Sequence, residues 1–152
     1  MGATDIETRL ELIETEHEES LDAFAHDVCK GLNSQPKYLS CRYFYDERGS
    51  ALFEAICDLP EYYLTRAERQ IITRRADEIV ALFAGPASLI ELGSGSAVKT
   101  RLLIDALLRH QDALHYAPID ISRSALEQSA LALLKDYESL DVTGVIGLYE
   151  EG

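Results

Sequence analysis

Residues 87 to 100 read Ala-Ser-Leu-Ile-Glu-Leu-Gly-Ser-Gly-Ser-Ala-Val-Lys-Thr, and the order has a chemical meaning. A short apolar run ends in an acid, turns through two glycines and enters an amphipathic helix. Ser88 to Leu92 predict a buried strand. Gly93 and Gly95 let the backbone approach a ligand with no Cβ in the way, and the helix opening near Ala97 turns its free N–H groups toward the same place. A second apolar run, His115 to Ile119, ends in Asp120, so two strand tips together make one site. Two phosphate-binding patterns come close and fail at one residue. A dinucleotide fingerprint needs a third glycine where Val98 stands, and a P-loop needs a glycine at the same position before Lys99-Thr100. NAD and ATP are therefore disfavoured. Taken alone, Glu-x-Gly-x-Gly is a weak signal, and an ordinary tight strand-to-helix turn is the plain alternative.

An acid, a Gly-x-Gly turn and a second-strand acid resemble the arrangement of S-adenosylmethionine-dependent methyltransferases, whose cofactor carries a sulfonium cation and a ribose diol but no phosphate. Three blocks in order sharpen the likeness. The first is Tyr43-Phe44-Tyr45-Asp46-Glu47-Arg48-Gly49-Ser50 followed by Leu52-Phe53-Glu54, and the second is Leu59-Pro60-Glu61-Tyr62-Tyr63-Leu64-Thr65-Arg66-Ala67-Glu68. The third is Glu91 to Ser96 with Lys99-Thr100-Arg101, and Asp120-Ile121-Ser122 closes the set. Together they resemble the histidine-specific S-adenosylmethionine-dependent methyltransferases, the L-histidine Nα-methyltransferase family of ergothioneine biosynthesis. That family is about twice as long, so the resemblance covers its N-terminal half.

The resemblance implies a role for each residue. Glu91 would hold the methionine end of the cofactor or order the turn, with capping of nearby N–H groups as the alternative. Lys99 would pair with the cofactor carboxylate, where otherwise it is a solvated helix lysine. Asp120 would accept hydrogen bonds from both ribose hydroxyls, because a carboxylate has two oxygens spaced for a diol. The competing role, capping the next helix, is expected to fall to Ser122. Tyr45 would approach the cofactor and Tyr63 the imidazole of histidine, whose flat face suits an aromatic partner with a phenol tip. At the end of the third strand the family has an acid and an aromatic for the adenine. Here Leu148-Tyr149 keeps the aromatic platform and loses the acid. The implied reaction is repeated methylation of the α-amino group of L-histidine or a related amine. It asks for positioning and exclusion of water, so no catalytic base is named. A chain lacking the family's later substrate-binding groups is expected to be inactive alone.

Composition sets limits. A net charge of −13 argues against a nucleic-acid partner. Cys29, Cys41 and Cys57 form no Cys-x-x-Cys pair and are odd in number, which suits reduced thiols in the cytoplasm. No metal-ligand spacing, membrane span or signal peptide is evident, and the four histidines form no triad.

The elements that must position these residues are helical first and α/β second. Residues 1–86 read as an N-terminal helical segment contributing to the substrate and cofactor site, and 87–152 as the first half of a Rossmann-like cofactor-binding domain. Residues 1–17, acidic and weakly patterned, are expected to fray. Helical spacing of Leu21, Phe24, Ala25, Val28 and Leu32 predicts a core-facing helix over 18–32, and a short helix over 50–57 is expected to bury Leu52, Phe53 and Ile56. A capping box, Thr65 to Glu68, predicts the start of the longest helix, with Ile71, Ile72, Ile79, Val80 and Phe83 inward and Gly85-Pro86 as terminator. Strand 88–92, helix 98–109, strand 115–119, helix 123–137 and strand 142–146 then alternate as a parallel sheet requires. A sheet of three strands leaves an edge expected to self-associate or to pair with a missing C-terminal half.

Overall fold

A computed structural model describes residues 6–15 and 21–148. The alternating pattern of the second half forms as expected. Strand β2 (Leu89–Leu92), strand β3 (Leu114–Asp120) and strand β4 (Leu140–Ile146) are parallel neighbours. Helix α4 (Thr100–His110) links the first pair and helix α5 (Arg123–Asp136) the second. Both crossovers step in the same direction, which puts both helices on one face of the sheet. That face carries Leu114, Tyr116, Leu140 and Val142, packed with Ile104, Leu107, Ala130, Leu133 and Leu134 into a single core. Pro118, which has no N–H to give, lies where the β3–β4 pairing skips from Tyr116 to Ile119.

Of the residues expected to fray, 1–17, those described, 6–15, contain a strand, and the others lie outside the described residues. Strand β1 (Leu10–Glu14) pairs in parallel with β4, giving the order β1-β4-β3-β2. Its anchor is Arg9, whose guanidinium donates to the carbonyls of Leu134 (3.0 Å), Tyr137 (2.9 Å) and Leu140 (3.0 Å). A cation at the end of α5 meets carbonyls that have no helical partner and the negative end of the helix dipole. Local patterning missed β1 because an acidic five-residue segment owes its order to this distant cap and to the edge of β4.

Helix α1 (Leu21–Asn33), helix α2 (Glu47–Cys57) and helix α3 (Leu64–Val80) precede the sheet, with a 3₁₀ turn at Cys41–Phe44 between the first two. The apolar stripes of α1 and α2 are not core. Leu21 is 85% exposed, and Phe24, Leu32, Leu52, Phe53 and Ile56 are also exposed. Periodicity set the stripe but not what covers it. Helix α3 packs on α4 through Ile72, Ala76 and Val80, whereas Ile71, Ile79 and Phe83 face outward. It ends before reaching Gly85-Pro86, and no capping box forms. Tyr63 is the N-cap without a side-chain cap, and Glu68 instead pairs with Lys99 of the neighbouring turn.

Arg9→Ala should destabilise the fold by about 1.5–3 kcal/mol, the scale of lost hydrogen bonds to a charged group. Arg9→Lys should recover little of this, because an ammonium cannot fork across several carbonyls. Urea unfolding of the three proteins checks both statements.

Candidate functional site

Strands β2, β3 and β4 end side by side, and the turns that follow them meet at Asp120. One carboxylate oxygen accepts the Gly95 N–H (2.8 Å) and the other the Ser122 N–H (2.8 Å). Its main-chain carbonyl accepts the Gly147 N–H beyond β4 (3.1 Å). Asp120 is 8% exposed, so it joins the glycine turn, the β3–α5 turn and the end of β4 from within. Ser122 does not cap α5 with its side chain, contrary to expectation. Its hydroxyl meets that of Ser50 on α2 (3.3 Å).

Gly93 and Gly95 take φ of 71° and 49°, and Ala97 takes 53°, so the turn runs through the left-handed region that favours glycine. A Cβ on Gly95 would meet only Glu54 Oε1, at 3.9 Å. The constraint there is the backbone angle, and the space beside it is open.

Glu91 is tied from two sides. Thr100, the first residue of α4, donates its hydroxyl to the carboxylate at 2.6 and 2.8 Å, and the fully buried Tyr116 donates at 2.6 Å. Burial, and then the adjacent Glu91 charge, push the Tyr116 phenol well above its usual range. These bonds join the end of β2 to the first residue of α4 and to β3. The buried hydroxyl of Ser94, within the same turn, has no hydrogen-bond partner among the described residues. Lys99, at the N-cap of α4, is ion-paired with Glu68.

The two tyrosine blocks meet through Phe53, whose ring lies edge-on to Tyr62 of the second block (6.0 Å) as well as to Tyr45 of the first (6.0 Å). Tyr45 also lines an open cleft of about 390 Å³ with Arg42, Ile121, Ser122 and Glu127, a cleft that neither Asp120 nor the glycine turn lines. Tyr63 is 64% exposed at the start of α3, and no described hydrogen bond or ring contact of its side chain ties it to the strand ends. Tyr149 lies outside the described residues, and Leu148, half-buried, follows β4. Sequence reasoning singled out neither Thr100 nor Tyr116 as a Glu91 partner, nor Glu54 beside Gly95. Tyr116 could be found only once the register set Leu89 opposite Tyr116 and so placed Glu91 on the same face.

The donor set fits a phosphate-free nucleoside ligand: an open glycine turn, an orphan buried hydroxyl and two fixed carboxylates, with one lysine at the helix entrance. Fold and turn define the first part of a Rossmann-like methyltransferase core. The chain belongs to the histidine-specific, S-adenosylmethionine-dependent methyltransferase family, whose model matches residues 24–152. It is 42% identical over 130 residues to a histidine N-alpha-methyltransferase of Mycobacterium tuberculosis, a match covering 85% of this chain and 40% of the relative. The corresponding enzyme of Mycolicibacterium smegmatis is 41% identical over 130 residues, covering 86% and 40%. An N-methyltransferase of Aspergillus flavus, dtpB, is 31% identical over 147 residues, covering 95% and 41%. The chain thus spans about two fifths of the length of these curated relatives.

Because folded Tyr116 holds its proton beyond the ordinary phenol pKa of about 10, its contribution to stability is complete below that pH. It is lost as pH rises toward the folded value. Tyr116→Phe should flatten the alkaline fall in stability between about pH 10 and 11, while costing about 1.5–3 kcal/mol at neutral pH for the bond to Glu91. Urea unfolding at a series of pH values separates the two effects.

Proposed function

We propose that this chain forms the S-adenosylmethionine site of an enzyme that methylates the α-amino group of L-histidine. The observation that carries the reading is the Asp120 carboxylate held against the Gly95 N–H, in a chain of this family. Each Asp120 oxygen keeps a lone pair beyond its backbone bond, and these would accept the ribose hydroxyls. Gly93 and Gly95 would line the cofactor by their backbone, Lys99 would meet its carboxylate, and Tyr45 would close the cleft side. Glu91 would act mainly by holding the turn. Tyr63 would face the imidazole and Tyr149 the adenine, while Leu148 offers no acceptor to the adenine amine, a loss of about 1 kcal/mol. In this division residues 1–86 would contribute to the substrate and cofactor site and 87–152 to the sheet that holds the cofactor, to which the first segment also lends its edge strand β1.

S-adenosylmethionine supplies a methyl group on a sulfonium, already an activated electrophile. The residues here have to bind, orient and keep water away. No helix among the described residues is long and apolar enough to cross a membrane. Together with unpaired cysteines this supports a cytoplasmic site of action. Calorimetry is expected to show binding of S-adenosylmethionine and S-adenosylhomocysteine and none of NAD or ATP. Asp120→Ala should weaken both ligands by about tenfold or more. Equal or tighter ATP binding contradicts the reading.

The sheet also has an uncovered face. Ile90 (66% exposed) and Leu92 (58%) point away from α4 and α5, and parallel sheets have helices on both faces. We infer that further polypeptide covers this face and the free edge of β2, either the remaining part found in relatives or a second copy. The chain alone should bind a hydrophobic dye and yield no trimethylhistidine by mass spectrometry. Joined to the remaining part of the Mycobacterium tuberculosis relative, it should lose the dye and gain activity. Trimethylhistidine made by the 152-residue chain alone overturns this.

A further inference from the structure

Lys99 is the cation that the site offers to an anionic ligand group, yet in the ligand-free fold its ammonium is engaged. Its partner is Glu68, one turn into α3, on the helix that packs against α4. The pair does not depend on a chance approach of two surface chains. Helix α3 packs on α4 through Ile72, Ala76 and Val80, with Arg109 bonding Asp77 near the other end (2.5 Å), so Glu68 is held within reach of Lys99. Both members keep access to water, Lys99 being the more covered of the two. A ligand carboxylate arriving at Lys99 therefore meets an occupied cation and a second negative charge beside it. Three ammonium protons allow both carboxylates to be bound, but the like charges oppose each other.

We infer that Glu68 is a positioning residue: it engages the Lys99 ammonium in the ligand-free fold and competes with the ligand carboxylate for it. It thereby sets how strongly the site selects the amino-acid end of its ligand. The inference rests on the reading of Lys99 as the partner of the cofactor carboxylate. Ion pairs this exposed are weak and screened by salt, so the competition is modest and depends on ionic strength.

The test is calorimetry on the 152-residue chain with S-adenosylhomocysteine and with 5′-methylthioadenosine, which has the same nucleoside and thioether but no carboxylate. Glu68→Gln should bind S-adenosylhomocysteine about two- to fivefold tighter at low salt and leave 5′-methylthioadenosine unchanged, with the gain shrinking at high salt. Glu68→Ala should move in the same direction. Lys99→Met should weaken S-adenosylhomocysteine alone, and in the Lys99→Met, Glu68→Gln double variant the gain should vanish. If Lys99→Met acts as stated but Glu68→Gln leaves S-adenosylhomocysteine unchanged or weaker, Glu68 does not compete and the inference is overturned while the role of Lys99 stands. Equal changes in both ligands with Glu68→Gln would make Glu68 a support of the fold only, which also overturns it. If Lys99→Met spares S-adenosylhomocysteine, or the chain binds neither ligand, the reading of Lys99 falls and the inference with it.

Discussion

One buried carboxylate organises the end of the sheet where the site lies. Asp120 has both oxygens bonded to backbone N–H groups on two different turns and its carbonyl bonded to a third segment. A charge this buried is tolerated because oriented N–H groups replace its hydration. The geometry follows from register. Asp120 is the last residue of β3, the strand between β2 and β4, so the segments that follow its two neighbours pass within reach of its side chain and carbonyl. The positive φ angles of Gly93 and Gly95 are the local condition for the Gly95 N–H to point at it.

A second buried cluster stiffens the same turn from the other side. Thr100 and Tyr116 both donate to Glu91, so the strand end, the first residue of α4 and the centre of β3 are joined through one carboxylate. Glu54 approaches Gly95 from α2, and Ser50 of the same helix meets Ser122. The first family block is therefore tied to the β3–α5 turn by the Ser50–Ser122 contact, although its apolar side chains remain exposed. Lys99 is ion-paired with Glu68 at the entrance of α4, so the turn has acidic side chains on several sides.

The distribution of apolar surface divides the molecule. The core is built almost wholly from β3, β4, α4 and α5 with the end of α3, and it covers one face of the sheet. Helices α1 and α2 turn Leu21, Phe24, Leu32, Leu52 and Ile56 to solvent, and β2 does the same with Ile90 and Leu92. Scattered exposed leucines are ordinary. An uncovered face of a parallel sheet is not, since such strands are apolar on both sides.

The sequence by itself determined the parallel βαβαβ unit, with element ends within a few residues, and the position of the glycine turn and its two acids. These depend on short-range period and on turn residues, which are local properties of the chain. It also carried the family, because the tyrosine blocks and the glycine turn stand in a particular order. Tertiary structure alone decided the rest. Strand β1 exists through Arg9 reaching the end of α5 and through pairing with β4, contacts more than a hundred residues away in sequence. The same is true of the side chains that meet the acids: Tyr116 finds Glu91 through strand register, and Glu68 leaves its expected cap for Lys99 through the packing of α3 on α4. The apolar stripes of α1 and α2 were legible as stripes, but periodicity describes one helix face and contains nothing about the surface opposite it.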